Sequence, residues 1–213
     1  MSDDENPSAD GICLNESEGK YSMKKLILYG DSNTYGYDPR AFFGGRYEEN
    51  VRWAGIVKRE LQGEYDVIEE GMNGRCLPRV SDGLFQELVR STNAEDMLAM
   101  MLGTNDILLT SRPDVSRTVN CADELLNYVK DQCAGKFILI APPHISNSYP
   151  DLQPYHDCSL EMNRQFMTLA KQYNIAAVDA GSWNIPMGSD GVHFTEQGHL
   201  EFAKRFLQNL HTI

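Results

Sequence analysis

The sequence predicts an α/β protein, a three-layer α/β/α sandwich built on a doubly wound, five-stranded parallel sheet. Short apolar runs alternate with longer segments in which apolar residues recur every three or four positions, and this alternation is typical of βαβ units. The runs are almost continuously apolar, as expected for strands that are buried on both faces of a sheet. Right-handed crossovers between such strands place helices on both sides of the sheet.

The strands and helices follow from these two patterns in chain order. Each apolar run predicts a strand, at residues 25–29, 65–69, 97–102, 137–141 and 175–178. Helical periodicity predicts helices at residues 51–61, 81–89, 115–133, 160–173 and 195–210. Thr195 is placed to cap the last helix, with the acidic Glu196 in its first turn. The polar, proline-containing segment 145–154 is predicted to be a loop.

Length and charge predict the domain organisation. The chain has 213 residues, of which 41% are hydrophobic, and this is enough for one sizeable core. Residues 1–22 hold six acidic residues and one basic residue, so we expect a flexible acidic tail followed by a single domain at residues 23–213. The net charge is −12. An acidic chain without a basic cluster argues against nucleic acid and anionic membranes as partners.

Cysteine and histidine usage indicates neither a disulfide framework nor a metal site. The five cysteines show no CxxC spacing and the five histidines no HExxH motif, so we expect reduced thiols in the cytoplasm. No GxGxxG or GxxxxGK[ST] motif is present, and we predict no cofactor and no metal. No apolar run approaches the ~18 residues of a membrane span, and the acidic start is unlike a signal peptide. A homo-oligomer is left open.

A candidate nucleophile follows the first predicted strand. The apolar run 26–29 ends at Gly30, and Ser32 stands two residues later, where residues 32–35 are expected to open a helix. Free backbone N–H groups and the helix dipole favour developing negative charge at such a helix start, which suits a nucleophilic hydroxyl. The alternative is that Ser32 only caps a helix.

A candidate base and its partner lie near the carboxyl end of the chain. Activating a serine hydroxyl at neutral pH needs a base such as an imidazole, and a carboxylate on the other ring nitrogen fixes the tautomer. Asp190 and His193 are three residues apart, and Gly191 relaxes the backbone between them. The alternative is that Asp190 forms a turn and that His193 is an ordinary packed or exposed histidine.

Candidate oxyanion donors lie at the ends of successive predicted strands. They are the backbone N–H groups of Ser32 and Gly74 and the side-chain amide of Asn105. The carboxyl ends of parallel strands meet at one edge of the sheet, so these turns are expected to converge. As alternatives, Gly74 and Asn105 are simple turn residues. Aromatic and apolar side chains that belong either to an acyl pocket or to the core are Tyr37, Phe42, Phe43, Trp183, Val192 and Phe194.

These stretches resemble the four sequence blocks of the SGNH (GDSL) hydrolases, in order and at similar spacing. The blocks are Gly30-Asp31-Ser32, Gly74, Gly103-Thr104-Asn105-Asp106 and Asp190-Gly191-Val192-His193. The resemblance runs from about residue 24 to 210. The stretches 51–53, 69–75 and 101–106 are most similar to the arylesterase/acyltransferase branch.

The resemblance implies a flavodoxin-like sheet, no metal, and hydrolysis of esters through an acyl-serine. It implies that Ser32 is the nucleophile, His193 the general base and then acid, and Asp190 the group that orients His193. Gly74 and Asn105 then complete the oxyanion hole with Ser32. The leucine usual after the serine is replaced by Asn33, a position without a chemical role in this scheme.

Two functions from different classes fit the sequence. The first is a serine esterase for short-chain, acetyl-type esters, with a small-molecule acyl ester as its partner and with acyl transfer to alcohols left open. The second is a non-catalytic module of the same fold that binds an acylated carbohydrate or a protein partner. No GxSxG motif is present, which disfavours an ordinary α/β-hydrolase.

Overall fold

A computed structural model describes residues 23–40 and 44–213. The predicted acidic tail at 1–22 lies outside the described residues, and so do the pocket candidates Phe42 and Phe43.

A five-stranded parallel sheet forms the centre of the described structure. Its strands are β1 (Lys24–Gly30), β4 (Tyr65–Gly71), β5 (Met97–Met101), β6 (Lys136–Ala141) and β7 (Ala176–Asp179), in the spatial order β4-β1-β5-β6-β7. This order is the doubly wound, flavodoxin-like one, and the predicted fold class is confirmed. From β1 the chain adds β4 on one side and then β5, β6 and β7 on the other, so the strand order reverses between β1 and β5. Ligands bind at such a switch point in open α/β sheets.

Seven α-helices are described, and they cover both faces of the sheet. Their bounds are α1 Ser32–Tyr35, α2 Trp53–Glu60, α3 Gly83–Ser91, α4 Thr104–Leu108, α5 Val115–Gln132, α6 Gln153–Tyr173 and α7 Glu196–Leu210. Side chains of α2 and α7 form one core cluster, and side chains of α3, α5 and α6 form a second. Leu26 and Leu28 of β1 belong to the first cluster and Ile27 belongs to the second, as the alternation of side chains along a strand requires.

The start of α6 was wrongly predicted. The helix begins at Gln153, and a 3-10 turn at Pro150–Leu152 leads into it, whereas the sequence pattern places a loop at 145–154. Pro154 explains the error. In the first turn of a helix its missing N–H would have no intrahelical partner, so the proline begins the helix instead of excluding it.

Two short strands were not predicted. β2 (Tyr37–Asp38) and β3 (Gly45–Arg46) pair antiparallel as a small hairpin beyond the end of α1. With two residues in each strand, the hairpin is too short to show an alternating pattern. It brings Tyr37 to the edge of the sheet where the predicted site lies.

The described helices contain none that is long and apolar enough to cross a membrane.

Candidate active site

Three turns place the predicted site at the carboxyl edge of the sheet. Ser32 begins α1 directly after β1, Gly74 lies in the turn after β4, and Asn105 lies in α4 after β5. Asp31 caps α1, because its carboxylate accepts a hydrogen bond from the Asn33 N–H at 2.9 Å. Ser32 is therefore not the cap of this helix, and its hydroxyl is directed elsewhere.

Ser32, His193 and Asp190 form one continuous chain of hydrogen bonds. The Nε2 atom of His193 lies 2.9 Å from the Ser32 hydroxyl oxygen, and its Nδ1 atom lies 2.7 Å from Asp190 Oδ2. The other Asp190 oxygen accepts from the backbone N–H groups of Val192 and His193, each at 3.0 Å. The carboxylate thus shapes the turn and contacts the imidazole at the same time.

The Asp190 carboxyl group is ionised over the whole neutral range. Partial burial opposes ionisation, but hydrogen bonds from the His193 ring and from the His193 and Val192 N–H groups lower the pKa of Asp190 to about 2. A carboxylate accepts only, so the proton of the neutral imidazole is on Nδ1 and Nε2 is free to accept from Ser32. Such an arrangement can move a proton from a serine hydroxyl to an imidazole.

Gly191 allows the turn that joins Asp190 to His193. Its φ is +71°, a left-handed conformation that side-chain-bearing residues rarely adopt. A Cβ atom at this position would also lie 2.7 Å from the Leu152 side chain. The conformation therefore requires glycine here, and a Cβ would in addition displace the end of the Leu152 side chain.

Two backbone N–H groups at the site are without a partner. Among residues 23–40 and 44–213, no hydrogen-bond acceptor is found for the Ser32 or the Gly74 N–H. Gly74 has a φ of +72°, and an added Cβ would meet nothing within 4 Å. The left-handed conformation therefore favours glycine at this position.

Asn105 is buried and tied to the turn that contains Gly74. Its side-chain amide donates to the Arg75 carbonyl at 3.1 Å, and the second amide hydrogen has no partner among the residues that the structure describes. Arg75 in turn donates to the Gly30 carbonyl at 3.0 Å, and its guanidinium lies over the Tyr29 ring at 4.1 Å. Arg75 therefore fixes this turn to the end of β1.

Three of the predicted pocket residues, Tyr37, Val192 and Trp183, occupy different surroundings. The Tyr37 ring lies beside the His193 ring, with centroids 4.5 Å apart, and Val192 is half-buried next to His193 in the chain. Trp183 is buried in the core, where its indole packs edge-to-face on Phe202. This position does not favour a pocket role for Trp183. No local sequence signal separates a core tryptophan from one that lines a pocket.

Two grooves border the site. One of about 960 Å³ is lined by Gly74 and Arg75, and another of about 600 Å³ is lined by Asn105. Neither groove includes Ser32 or His193 among its lining residues. The grooves therefore lie next to the predicted oxyanion donors Gly74 and Asn105 rather than next to Ser32 and His193.

The two neighbours of Ser32, Asp31 and Asn33, are also buried. Asp31 is 1% exposed, and burial raises its pKa to about 6, against the lowering effects of the Asn33 N–H and His193. The Asn33 side chain bonds the backbone on both sides of His193. The sequence signal that could have identified Asn33 is its place directly after Ser32, where the SGNH hydrolases usually have leucine.

In the part of the chain that the structure describes, no three side chains of His, Cys, Asp or Glu come together as a metal site.

Solved structures with the same fold include known esterases. The aryl esterase of M. smegmatis is 24% identical, with a TM-score of 0.72 over 87% of this chain and 99% of that one. Est24, a carbohydrate acetylesterase from Sinorhizobium meliloti, is 21% identical, with a TM-score of 0.74 over 89% and 99%. A lipase/acylhydrolase from Enterococcus faecalis is 20% identical, with a TM-score of 0.67 over 88% and 95%. At these identities the likeness shows a shared fold.

No curated protein matches the sequence. A family model does match, and it spans residues 28–200, which includes Ser32, Gly74, Asn105, Asp190 and His193. The chain therefore belongs to the GDSL-like lipase/acylhydrolase family.

Proposed function

We propose that this family member is a serine esterase that hydrolyses short-chain, acetyl-type esters through an acyl-serine intermediate. The observation that carries the proposal is the continuous hydrogen-bonded chain from Asp190 through His193 to Ser32, at 2.7 and 2.9 Å. These distances lie within the range at which a base can take the proton of a nucleophile.

The proposed reaction begins when the Ser32 oxygen attacks the ester carbonyl carbon and His193 Nε2 takes the hydroxyl proton. Asp190 stabilises the imidazolium that forms. The negative oxygen of the tetrahedral intermediate accepts from the Ser32 and Gly74 N–H groups and from the Asn105 amide. As the intermediate collapses, His193 returns the proton to the departing alcohol. A water molecule then attacks the carbonyl carbon of the acyl-enzyme while His193 takes a proton from the water. The second intermediate collapses to the acid, and the proton returns to the Ser32 oxygen.

The surroundings of the site support a small acyl group. Tyr37 and Val192 lie directly beside His193, and Ser32 itself is only 7% exposed. The grooves at Gly74 and Asn105 leave room for the alcohol part of the ester. The name of one structural neighbour, a carbohydrate acetylesterase, agrees with a short acyl group.

Acyl transfer to alcohols is a second outcome of the same chemistry. An alcohol that reaches the acyl-enzyme before water gives a new ester rather than the acid. Measuring ester and acid products from p-nitrophenyl acetate with and without added alcohol separates the two outcomes. The cytoplasmic location and the absence of nucleic acid partners stay predictions from the sequence.

The test of the proposal compares the wild-type protein with Ser32→Ala. We expect the wild type to hydrolyse p-nitrophenyl acetate and to react with a fluorophosphonate probe. The variant should lose roughly 10⁴-fold or more in rate and all labelling, since it lacks the nucleophile. A folded wild type that neither labels nor hydrolyses any short ester would favour the non-catalytic binding module instead.

A further inference from the structure

The side chain of Asn33 holds the backbone on both sides of His193. Its Nδ2 donates to the Val192 carbonyl at 3.1 Å, and its Oδ1 accepts from the Phe194 N–H at 2.9 Å. One carboxamide therefore bonds the residue before the imidazole and the residue after it. Because Asn33 follows Ser32 directly in the chain, this contact spans the same gap as the Ser32–His193 hydrogen bond.

Asn33 is itself fixed in place. Its backbone N–H donates to Asp31, and its carbonyl accepts from the Trp53 indole N–H at 3.0 Å. The residue is only 7% exposed, so water is poorly placed to replace these hydrogen bonds if they are lost. Three of these four hydrogen bonds, to Trp53, Val192 and Phe194, join α1 to other parts of the structure.

The other hydrogen bonds of the turn shape it without joining it to α1. Asp190 accepts from the His193 N–H, and the His193 carbonyl accepts from the Gly188 N–H at 2.7 Å. The Gly191 carbonyl accepts from Ser146, which lies in another loop. Among the described residues, the hydrogen bonds from the turn 189–194 to α1 are the two of Asn33 and the Ser32–His193 bond itself.

We propose that Asn33 is a positioning residue that sets the distance between the Ser32 oxygen and the His193 imidazole. The inference rests on the proposed esterase function. A leucine of similar size offers neither a donor nor an acceptor, so the Val192 carbonyl and the Phe194 N–H would lose their partners. The turn would then be free to shift against α1, and a misplacement of about 1 Å at a reacting group can lower a rate ~100-fold.

The test replaces Asn33 by leucine and measures kcat and KM separately on p-nitrophenyl acetate. We expect kcat to fall on the order of 10- to 100-fold while KM changes less than about threefold, because proton transfer rather than ester binding is affected. Asn163→Leu is the matched control. Asn163 is an equally buried asparagine in α6, and its side chain makes no hydrogen bond in the described residues. This control should keep its kcat.

A spectroscopic measurement gives an answer that does not depend on turnover. The His193 Nδ1 proton, bound to Asp190, is expected as a low-field proton NMR signal in the wild type and in Asn163→Leu. The signal should weaken or disappear in Asn33→Leu, because a loosened turn exposes this proton to exchange. Asn33→Ser, which leaves space for water, provides the same comparison if the leucine variant does not fold.

The outcomes separate the inference from the function on which it rests. Unchanged kcat and an unchanged signal in folded Asn33 variants overturn the positioning role, even if their unfolding free energy falls. Failure of the wild type to hydrolyse any ester contradicts the proposed function, and the NMR comparison then still decides whether Asn33 holds His193. A lower kcat together with a weakened signal supports both.

Discussion

At the scale of single residues, one hydrogen bond orients Asn105, the proposed side-chain donor to the oxyanion. Its amide donates one hydrogen bond to the Arg75 carbonyl, and this fixes the direction of the group at the edge of the site. An oxyanion donor acts by being in place before charge develops, so it gains little from mobility. The bond to Arg75 provides that order.

Asn105→Ala should therefore lower kcat by ~10²–10³-fold with little change in KM, since the donor acts on the transition state. Asn127→Ala is a suitable control, because Asn127 is an exposed asparagine on α5. Steady-state kinetics on p-nitrophenyl acetate checks the prediction. A loss smaller than about tenfold in a folded variant would show that the amide does not face the oxyanion.

Asp31 has a cost in stability that depends on pH. Burial raises the pKa of Asp31 to about 6 in the folded protein, whereas its pKa in the unfolded chain is near 4. Between pH 4 and pH 6 the folded state therefore binds this proton and the unfolded state does not. Stability from this group is therefore greatest below about pH 4 and declines as the pH rises through 6. Asp31→Asn keeps a good helix cap and removes the ionisation.

Asp31→Asn should consequently be more stable than wild type at pH 8, by roughly 1–3 kcal/mol, and show little difference at pH 4. Urea unfolding at the two pH values measures the difference. Asp82, an exposed aspartate that caps α3, supplies the control variant Asp82→Asn. An advantage of Asp31→Asn that is the same at both pH values would argue against a buried, ionising carboxyl group.

At the scale of elements, Arg52 joins the end of α1, the start of α2, β4 and the residue that follows the hairpin. Its guanidinium pairs with Glu69 of β4 at 2.9 Å and donates to the Tyr47 carbonyl, and its aliphatic stem passes beside Gly36, which caps α1. The side chains of Arg52 and Glu69 are about nine-tenths buried. The ion pair is therefore shielded from solvent, and it connects β4 to the elements around Ser32.

Arg52→Leu should lower the free energy of unfolding by roughly 3 kcal/mol, because it leaves a buried carboxylate with weaker compensation. Arg46, which also contacts Glu69 at 3.1 Å, limits the loss. Lys58→Ala is the control. Lys58 lies on α2, which begins directly after Arg52, but it pairs with Glu49 at the surface, so its loss should cost less than about 1 kcal/mol. Equal losses in the two variants, measured by urea unfolding, would contradict this role for Arg52.

At the scale of the whole molecule, the strand order decides which turns meet. β1 is central between β4 and β5, so the turns that follow these three strands are neighbours at one edge. The turn 189–194 comes from far along the chain and precedes α7, which packs on the same side of the sheet as α2. Ser32 and His193 are 161 residues apart in sequence and 2.9 Å apart in space.

The sequence by itself determined the five strands and the residues that follow them. Strands buried on both faces must be apolar throughout, and sharp turns at their ends select glycine and small polar residues, so both signals are local. It also predicted Ser32, Asp190 and His193 as a catalytic group, because each proposed chemical role admits few residue types.

Only the tertiary structure decided which side chains surround that group. Trp183 packs on Phe202 in the core, and Asn33 reaches the turn on either side of His193. None of these contacts is visible in local sequence, since each depends on a partner brought close by the sheet order. Burial and long-range hydrogen bonding are properties of the packed molecule, and a linear pattern carries no measure of them.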